Sequence, residues 1–418
     1  MHNNKKLLLV ESEMLKANGH FLDYLIETSN YFKKSKNIFW FLNRDFESQN
    51  LQLPEYCNIK KIIKSNRFKR KKNKFYYFVA ETFYFLKNFL DIFYFIYFFK
   101  NNKKKLISFF KCLFLNYLIV PRYFKSFYSE YVKLNFNTND NIVFQSCRRK
   151  DMALIFFLYN IENTQLPKIH IRIFHLPKKR FKDFYFYFDK IKSNIKKNIF
   201  LYTEEGKKKK ILSAKLGSEN LICVTKPIFS FYNRRVDAKN HTIGFIGEAR
   251  INKGFNEIPK FIQTINEYDK NVNFIIQFSN VDDQTKKTVN FLKALSLKYK
   301  NIQIINKYCD YEEYRKILQK ITIMPLLYDL EQIRLGSGVL YSCVSHEIIP
   351  IIPNNSDYLK EILSPNSFLE ANNIDSFVSN TLAIIKNYEV FLSSAKKSSE
   401  KLTQSIKNDY LIKNITDS

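Results

Sequence analysis

Thr242-Ile-Gly244-Phe-Ile-Gly247-Glu248-Ala-Arg250-Ile-Asn-Lys253-Gly254-Phe255 is an apolar run that stops at a glycine, then turns through a short polar segment into a helical pattern. The run reads as a buried strand, and the amphipathic spacing that follows reads as a helix. A strand-to-helix turn leaves unpaired backbone N–H groups at the helix start, and Arg250 and Lys253 add two cations beside them. That combination suits a diphosphate. Gly247 and Gly254 would let the backbone approach such a ligand closely. The chain has eight glycines, and five of them (Gly244, Gly247, Gly254, Gly336, Gly338) fall in this turn and one later loop.

Outward from that stretch the pattern repeats. Strand-like runs at 242–247, 272–278, 301–306, 321–326 and 348–352 alternate with helical patterns at 256–267, 284–299, 311–319, 336–346 and 356–363. Alternation at this spacing predicts a parallel, doubly wound sheet. Upstream, strands are expected at 6–10, 37–42, 142–145, 168–174 and 199–203, with helices at 19–32, 151–159 and 181–199. The fold class is therefore α/β, with two Rossmann-like doubly wound domains facing a cleft. The expected boundaries are an N-terminal domain over 1–228, a linker over 229–240, a C-terminal domain over 241–395 and a helical tail over 396–418.

The later loop carries the second signature, Met324-Pro-Leu-Leu-Tyr328-Asp-Leu-Glu-Gln-Ile-Arg334-Leu-Gly336-Ser337-Gly338-Val339. It reads as a strand, a loop and a helix whose first turn holds Ser337, Gly338 and Val339. Their amides form a second anion-binding helix start. Both signatures follow strands of one predicted sheet, at the carboxyl ends where open α/β domains bind ligands.

At these residues the chain resembles the GT-B glycosyltransferases, in particular the retaining enzymes of family 4. The Gly247-x-x-Arg250-x-x-Lys253-Gly254 turn and the Tyr328 loop leading into Ser337-Gly338 match that family's donor-binding motifs. The resemblance covers about 240–365 and is weaker over the first 230 residues. It implies that Gly247, Glu248, Arg250, Lys253, Tyr328, Arg334, Ser337, Gly338 and Val339 hold a nucleotide-diphosphate-sugar, which enters as a co-substrate; no other cofactor and no metal is implied. It also implies that His175, at the end of the 168–174 strand, meets the transferred sugar, and that Gly19, His20 and Arg172 line the acceptor side. One departure concerns the family's two Glu residues around the second helix start, the second of which binds the donor ribose. Here those positions are Arg334 and Ser342, with Glu331 and Glu347 as nearby carboxylates.

The composition bounds the partners. The chain has 418 residues and a formal net charge of +29, from 68 Lys and Arg against 39 Asp and Glu. Such a balance points to anionic partners, while A/T-rich codon usage would raise Lys, Asn, Ile, Phe and Tyr together. The six cysteines are scattered, with neither a disulfide framework nor zinc-ligand spacing. The first apolar run, 7–10, is far shorter than the hydrophobic core of a secretion signal. A cytoplasmic protein is expected.

Residues 60–133 interrupt the α/β rhythm as a basic and aromatic insertion. Residues 60–74 hold nine Lys or Arg, and residues 75–99 hold fourteen aromatics. Glu81, Lys87 and Asp91 break the latter as a membrane span. Segment 60–99 fits two main readings, docking on an anionic inner-membrane surface or packing inside the first domain, with a true span over 75–99 as a third.

The expected activity is metal-independent transfer of a hexose, with retention, to a glycan or lipid-linked acceptor in surface polysaccharide or lipopolysaccharide synthesis. Two rivals remain: a catalytically silent GT-B scaffold, motivated by Arg334 and Ser342, and a nucleic-acid-binding protein, motivated by the charge. For the latter no recognition helix or stacking module is visible.

Overall fold

The structure is a computed structural model. It describes residues 5–12, 14, 20–44, 46, 53–63, 121–162, 166–173, 198–217, 222–228, 241–329, 337–354 and 356–417. The chain groups into two compact units. The first comprises Met1–Ala17, Tyr24–Thr225 and Tyr410–Ser418, and the second comprises Asn18–Asp23 and Lys226–Asp409.

The first unit is built on seven strands: β1 (Lys6–Glu11), β2 (Asn37–Asn43), β3 (Cys57–Ile63), β4 (Asn141–Phe144), β5 (Lys168–Arg172), β6 (Ile199–Thr203) and β7 (Ile222–Val224). All pair in parallel, in the order β3-β2-β1-β4-β5-β6-β7. Leu7, Leu8 and Leu9 are fully buried, as expected of a parallel strand covered on both faces. Its helices are α1 (His20–Phe32), α2 (Pro121–Lys133), α3 (Arg149–Glu162) and α4 (Gly206–Leu216).

Sequence reading missed four of these elements, and each miss has a physical reason. β3 is an edge strand whose Lys60 and Lys61 are exposed, so its sequence merges with the basic run that follows. Charged residues on an edge strand block pairing with other chains. The basic segment was expected to begin at residue 60, yet 57–63 is sheet. Helix α2 falls within the stretch expected as an insertion, but Phe124 and Phe127 are fully buried and belong to the core of the first unit. β7 spans three residues, and four consecutive lysines open α4; neither gives a periodic signal. The 75–99 segment and the linker at 229–240 lie outside the described residues, as does the helix expected at 181–199 up to residue 197; Ile199 begins β6.

The second unit holds six parallel strands: β8 (Thr242–Glu248), β9 (Asn273–Ser279), β10 (Ile302–Asn306), β11 (Ile323–Pro325), β12 (Ile349–Pro353) and β13 (Leu369–Ala371). Their order is β10-β9-β8-β11-β12-β13, with the direction of strand addition reversing between β8 and β11. The helices are α5 (Ile258–Tyr268), α6 (Lys286–Lys298), α7 (Tyr311–Lys320), α8 (Gly338–Ser345), α9 (Asp357–Lys360), α10 (Ile374–Lys386) and α11 (Tyr388–Lys407). In α5, Ile258, Phe261, Ile262 and Ile265 are buried at helical spacing, which packs one stripe onto the sheet. Asp310 and Glu313 form a capping box that starts α7. The helix expected over 356–363 is a single turn.

The tail divides. Residues 388–407 form one helix of the second unit, while α12 (Tyr410–Thr416) returns to the first, where Asn414 donates to the Tyr202 hydroxyl at 2.8 Å. Among the described residues no helix is long and apolar enough to cross a membrane.

Candidate functional site

β8 and β11 are neighbours at the point where strand order reverses, the place where open α/β sheets leave a crevice. The two sequence signatures follow these two strands, and the structure joins them. At the end of β8, Gly247 has φ of +126°, a conformation that side-chain-bearing residues rarely adopt. Its amide donates to the Gln277 Oε1 at 3.1 Å. The chain then makes a tight turn over Ile251–Lys253, which Gly254 closes with φ of +72° and an N–H to the Ile251 carbonyl. A Cβ on Gly254 would overlap the carbonyl oxygen of Leu327, so only glycine lets the two loops touch. The contact is completed by the Asp329 amide, which donates to the Asn252 carbonyl at 3.1 Å.

The second loop is anchored in turn. The Tyr328 hydroxyl lies 3.2 Å from the Ser337 Oγ. Ser337 caps α8 by accepting from the Leu340 amide at 3.2 Å, an interaction that N-cap serines commonly make. The first amides of α8, at Gly338 and Val339, have no acceptor within the helix. Ser342 is one of the two positions at which the sequence resemblance would place a carboxylate. It is buried, and its hydroxyl donates back to the Gly338 carbonyl at 3.2 Å. Glu347 lies past the end of α8 with φ of +56°, more than a turn beyond Ser342.

Lys253 is the central charge of the site. Its ammonium stands 3.4 Å from where a Cβ on Gly247 would be, and among the described residues it has no hydrogen-bond or ion partner. Burial in the cleft, then the nearby Arg250, lower its pKa from the usual 10.5 to about 8, while Glu248 acts in the opposite direction. Arg250 is more open. It is about half exposed and its Nε lies 3.4 Å from the Glu248 carboxylate. That carboxylate also accepts from the Asn280 Nδ2 at 2.9 Å, and Asn280 donates to the Tyr308 hydroxyl at 2.8 Å. Gly247, Glu248, Lys253, Tyr328 and Val339 line an open cleft whose apolar walls include Phe255 and Met324. A cation with no partner among the described residues, beside the first amides of a helix and inside partly apolar walls, is an arrangement that takes up an anion.

The structure thus brings together Gly247, Glu248, Arg250, Lys253, Tyr328, Ser337, Gly338 and Val339. Arg334, His175 and Gly19 lie outside the described residues, as does the side chain of His20. Arg172, expected on the acceptor side, is 3% exposed at the end of β5. Its guanidinium donates to Gln145 and Glu204, the latter at 3.0 Å, and stacks 5.2 Å from the Tyr24 ring centre. Sequence reading did not single out Gln277, Asn280 or Tyr308. The signal for Gln277 was available, since it is the only polar residue inside the run Phe274–Phe278.

No protein-family model matches the chain, and the search of curated proteins finds no match. Solved structures do resemble it. The Anabaena protein HepE, in complex with UDP and glucose, aligns with a TM-score of 0.59 at 9% identity, over 99% of this chain and 100% of that one. A glycosyltransferase from Rickettsia africae gives 0.56 at 12% identity over 99% of both chains. Sucrose-phosphate synthase from Thermosynechococcus elongatus gives 0.56 at 9% identity, over 96% of this chain and 95% of that one. At such identities the likeness speaks for architecture, and the architecture is the GT-B fold of two Rossmann-like α/β domains found in these glycosyltransferases.

Proposed function

We propose that this protein is a glycosyltransferase that takes its sugar from a nucleotide-diphosphate donor held in the second unit. The observation that carries this reading is the Lys253 ammonium, which has no hydrogen-bond or ion partner among the described residues and is set over Gly247 in a cleft whose two walls are locked together by Gly254 and Leu327. In sugar transfer, negative charge builds on the diphosphate as the glycosidic bond breaks. Lys253 and Arg250 meet that charge, and the first amides of α8 add fixed dipoles. Because the charge grows toward the transition state, the stabilisation is larger there than in the ground state. A UDP-sugar is the first donor to test, since HepE of the same fold holds UDP and glucose.

The finer features belong to the same proposal. The transfer proceeds with retention and without a metal, Arg250 and Lys253 supplying the positive charge. His175 faces the transferred sugar, Arg334 assists at the donor, and Gly19, His20 and Arg172 serve the acceptor side. The acceptor is a glycan or a lipid-linked glycan of a surface polysaccharide, met at the inner face of the membrane, with residues 60–99 attracted to anionic lipid.

The silent-scaffold reading keeps one specific support, the buried Ser342 bonded back into α8 where the family carries a carboxylate. A thermal-shift and hydrolysis screen over common nucleotide-sugars separates the two. The enzyme reading expects a shift and slow donor hydrolysis with at least one donor, and expects Arg250→Ala to reduce the shift and Lys253→Met to reduce it further. A flat response across the panel would leave the scaffold.

A further inference from the structure

Every other side chain in the inner run of β9, Phe274, Ile275, Ile276 and Phe278, is apolar and buried, and Gln277 is 5% exposed among them. A carboxamide in that setting is costly unless both of its ends are satisfied. Both are. Its Oε1 accepts from the Gly247 amide at 3.1 Å, and its Nε2 donates to the Lys307 carbonyl at 2.8 Å. One partner is a donor and the other an acceptor, so the amide has a single orientation that serves both. The bond thus stitches the end of β8 to the end of β10 across β9. It acts on Gly247, whose φ of +126° an ordinary residue would resist, and that glycine is the surface against which the Lys253 ammonium stands.

We infer that Gln277 is the positioning residue of the donor site: it fixes the Gly247 peptide and thereby places the Lys253 ammonium where the donor diphosphate binds. The inference rests on the donor-site reading above for its ligand, but its geometric content does not. Gln277 borders the cleft without supplying charge, so its effect on an anion has to pass through Lys253. A residue that merely fills the core would weaken the whole unit and leave the lysine's chemistry unchanged.

A double-mutant cycle with UDP as probe, on the full chain, distinguishes these roles. Gln277→Met keeps the volume and removes both hydrogen bonds. The expected result is a rise in the UDP Kd of about tenfold in the wild-type background, and of less than about twofold in the Lys253→Met background. Equal losses in both backgrounds would overturn the inference. Should Gln277→Met not fold, Gln277→Asn, too short to reach both partners, takes its place. A second readout needs no nucleotide: the pH dependence of Lys253 acetylation by a trace of acetic anhydride, followed by mass spectrometry. Loss of the Gln277 bonds should move the half-reactivity point from about 8 toward the ordinary lysine value of 10.5. If UDP fails to bind the wild type while this point moves, the positioning role stands and the donor reading falls. An unmoved point sinks the positioning role.

Discussion

Arg250 and Lys253 are the same charge in different circumstances. Arg250 already holds the Glu248 carboxylate at 3.4 Å in half-exposed surroundings, so an incoming diphosphate competes with an ion pair and with water. Lys253 has no partner among the described residues and pays for its burial with a lowered pKa. An anion relieves that penalty, which makes Lys253 the stronger contributor. Lys253→Met should weaken UDP binding by roughly 10- to 150-fold, the range of a hydrogen bond to a charged group, and by more than Arg250→Ala does. Calorimetric titration of the two variants decides this, and a larger loss at Arg250 would reverse the ranking. The pH dependence has a definite sign. Below about 8 the free protein already carries the charge, so affinity is flat; above 8 the lysine is increasingly neutral and must be reprotonated on binding. UDP affinity therefore falls as pH rises through 8, and binding at pH 9 takes up a proton. Titrations in buffers of different ionisation heat would read that proton directly.

At the scale of elements, the two loops of the candidate site were legible in the sequence and most of what holds them was not. Gly247, Arg250, Lys253 and Ser337 are local signals, because a strand end, a turn and a helix start are fixed by neighbours a few residues apart. The lock between the loops joins Gly254 to Leu327, which no local pattern links. It gives a sharp expectation. Gly254→Ala needs both a left-handed alanine and room where the Leu327 carbonyl oxygen stands, so it should cost about 2–4 kcal/mol and lower UDP affinity together with the melting temperature. Ser337→Ala removes only a cap, and about 1 kcal/mol is expected. In the first unit, His170 on β5 is fully buried between the Tyr202 hydroxyl at 3.1 Å and Asn141 at 2.9 Å, a pairing of three strands that the sequence did not disclose. Burial, with smaller contributions from Lys168 and Lys36, pushes its pKa from 6.5 down to about 3. Between those values the unfolded chain holds the extra proton. The first unit's stability is thus complete above pH 6.5 and is lost as pH falls toward 3, by about 4 kcal/mol at the lower limit. Replacing His170 with Phe should flatten that acid limb of the denaturation curve; an unchanged limb would assign it to other groups.

For the whole molecule, the alternation of strands and helices disclosed two doubly wound sheets because each buried parallel strand is a continuous apolar run. It blurred in the first unit, where Lys60 and Lys61 on the edge strand and the lysines opening α4 mimic a solvated insertion. The same excess of basic residues gives the chain its +29 charge, which attracts any polyanion without regard to site. A donor site and a diffuse basic surface therefore make different demands on a single experiment. If UDP binds where Lys253, Gly247 and α8 converge, hydrogen exchange should slow over 247–255, 273–280 and 337–345 of the second unit. Exchange over 141–144 and 168–172 of the first unit should stay unchanged. Ligand-linked stabilisation sets the scale, about 2.7 kcal/mol of added protection at one hundred times the Kd. Binding to the diffuse surface would instead spread weak protection over both units and vanish at 0.5 M salt, where charges beyond about 4 Å are screened. Protection confined to the second unit and surviving that salt would fix the anion at the strand-order reversal between β8 and β11. There a partly buried ammonium and helix amides act at contact distance, and screening by mobile ions is weakest.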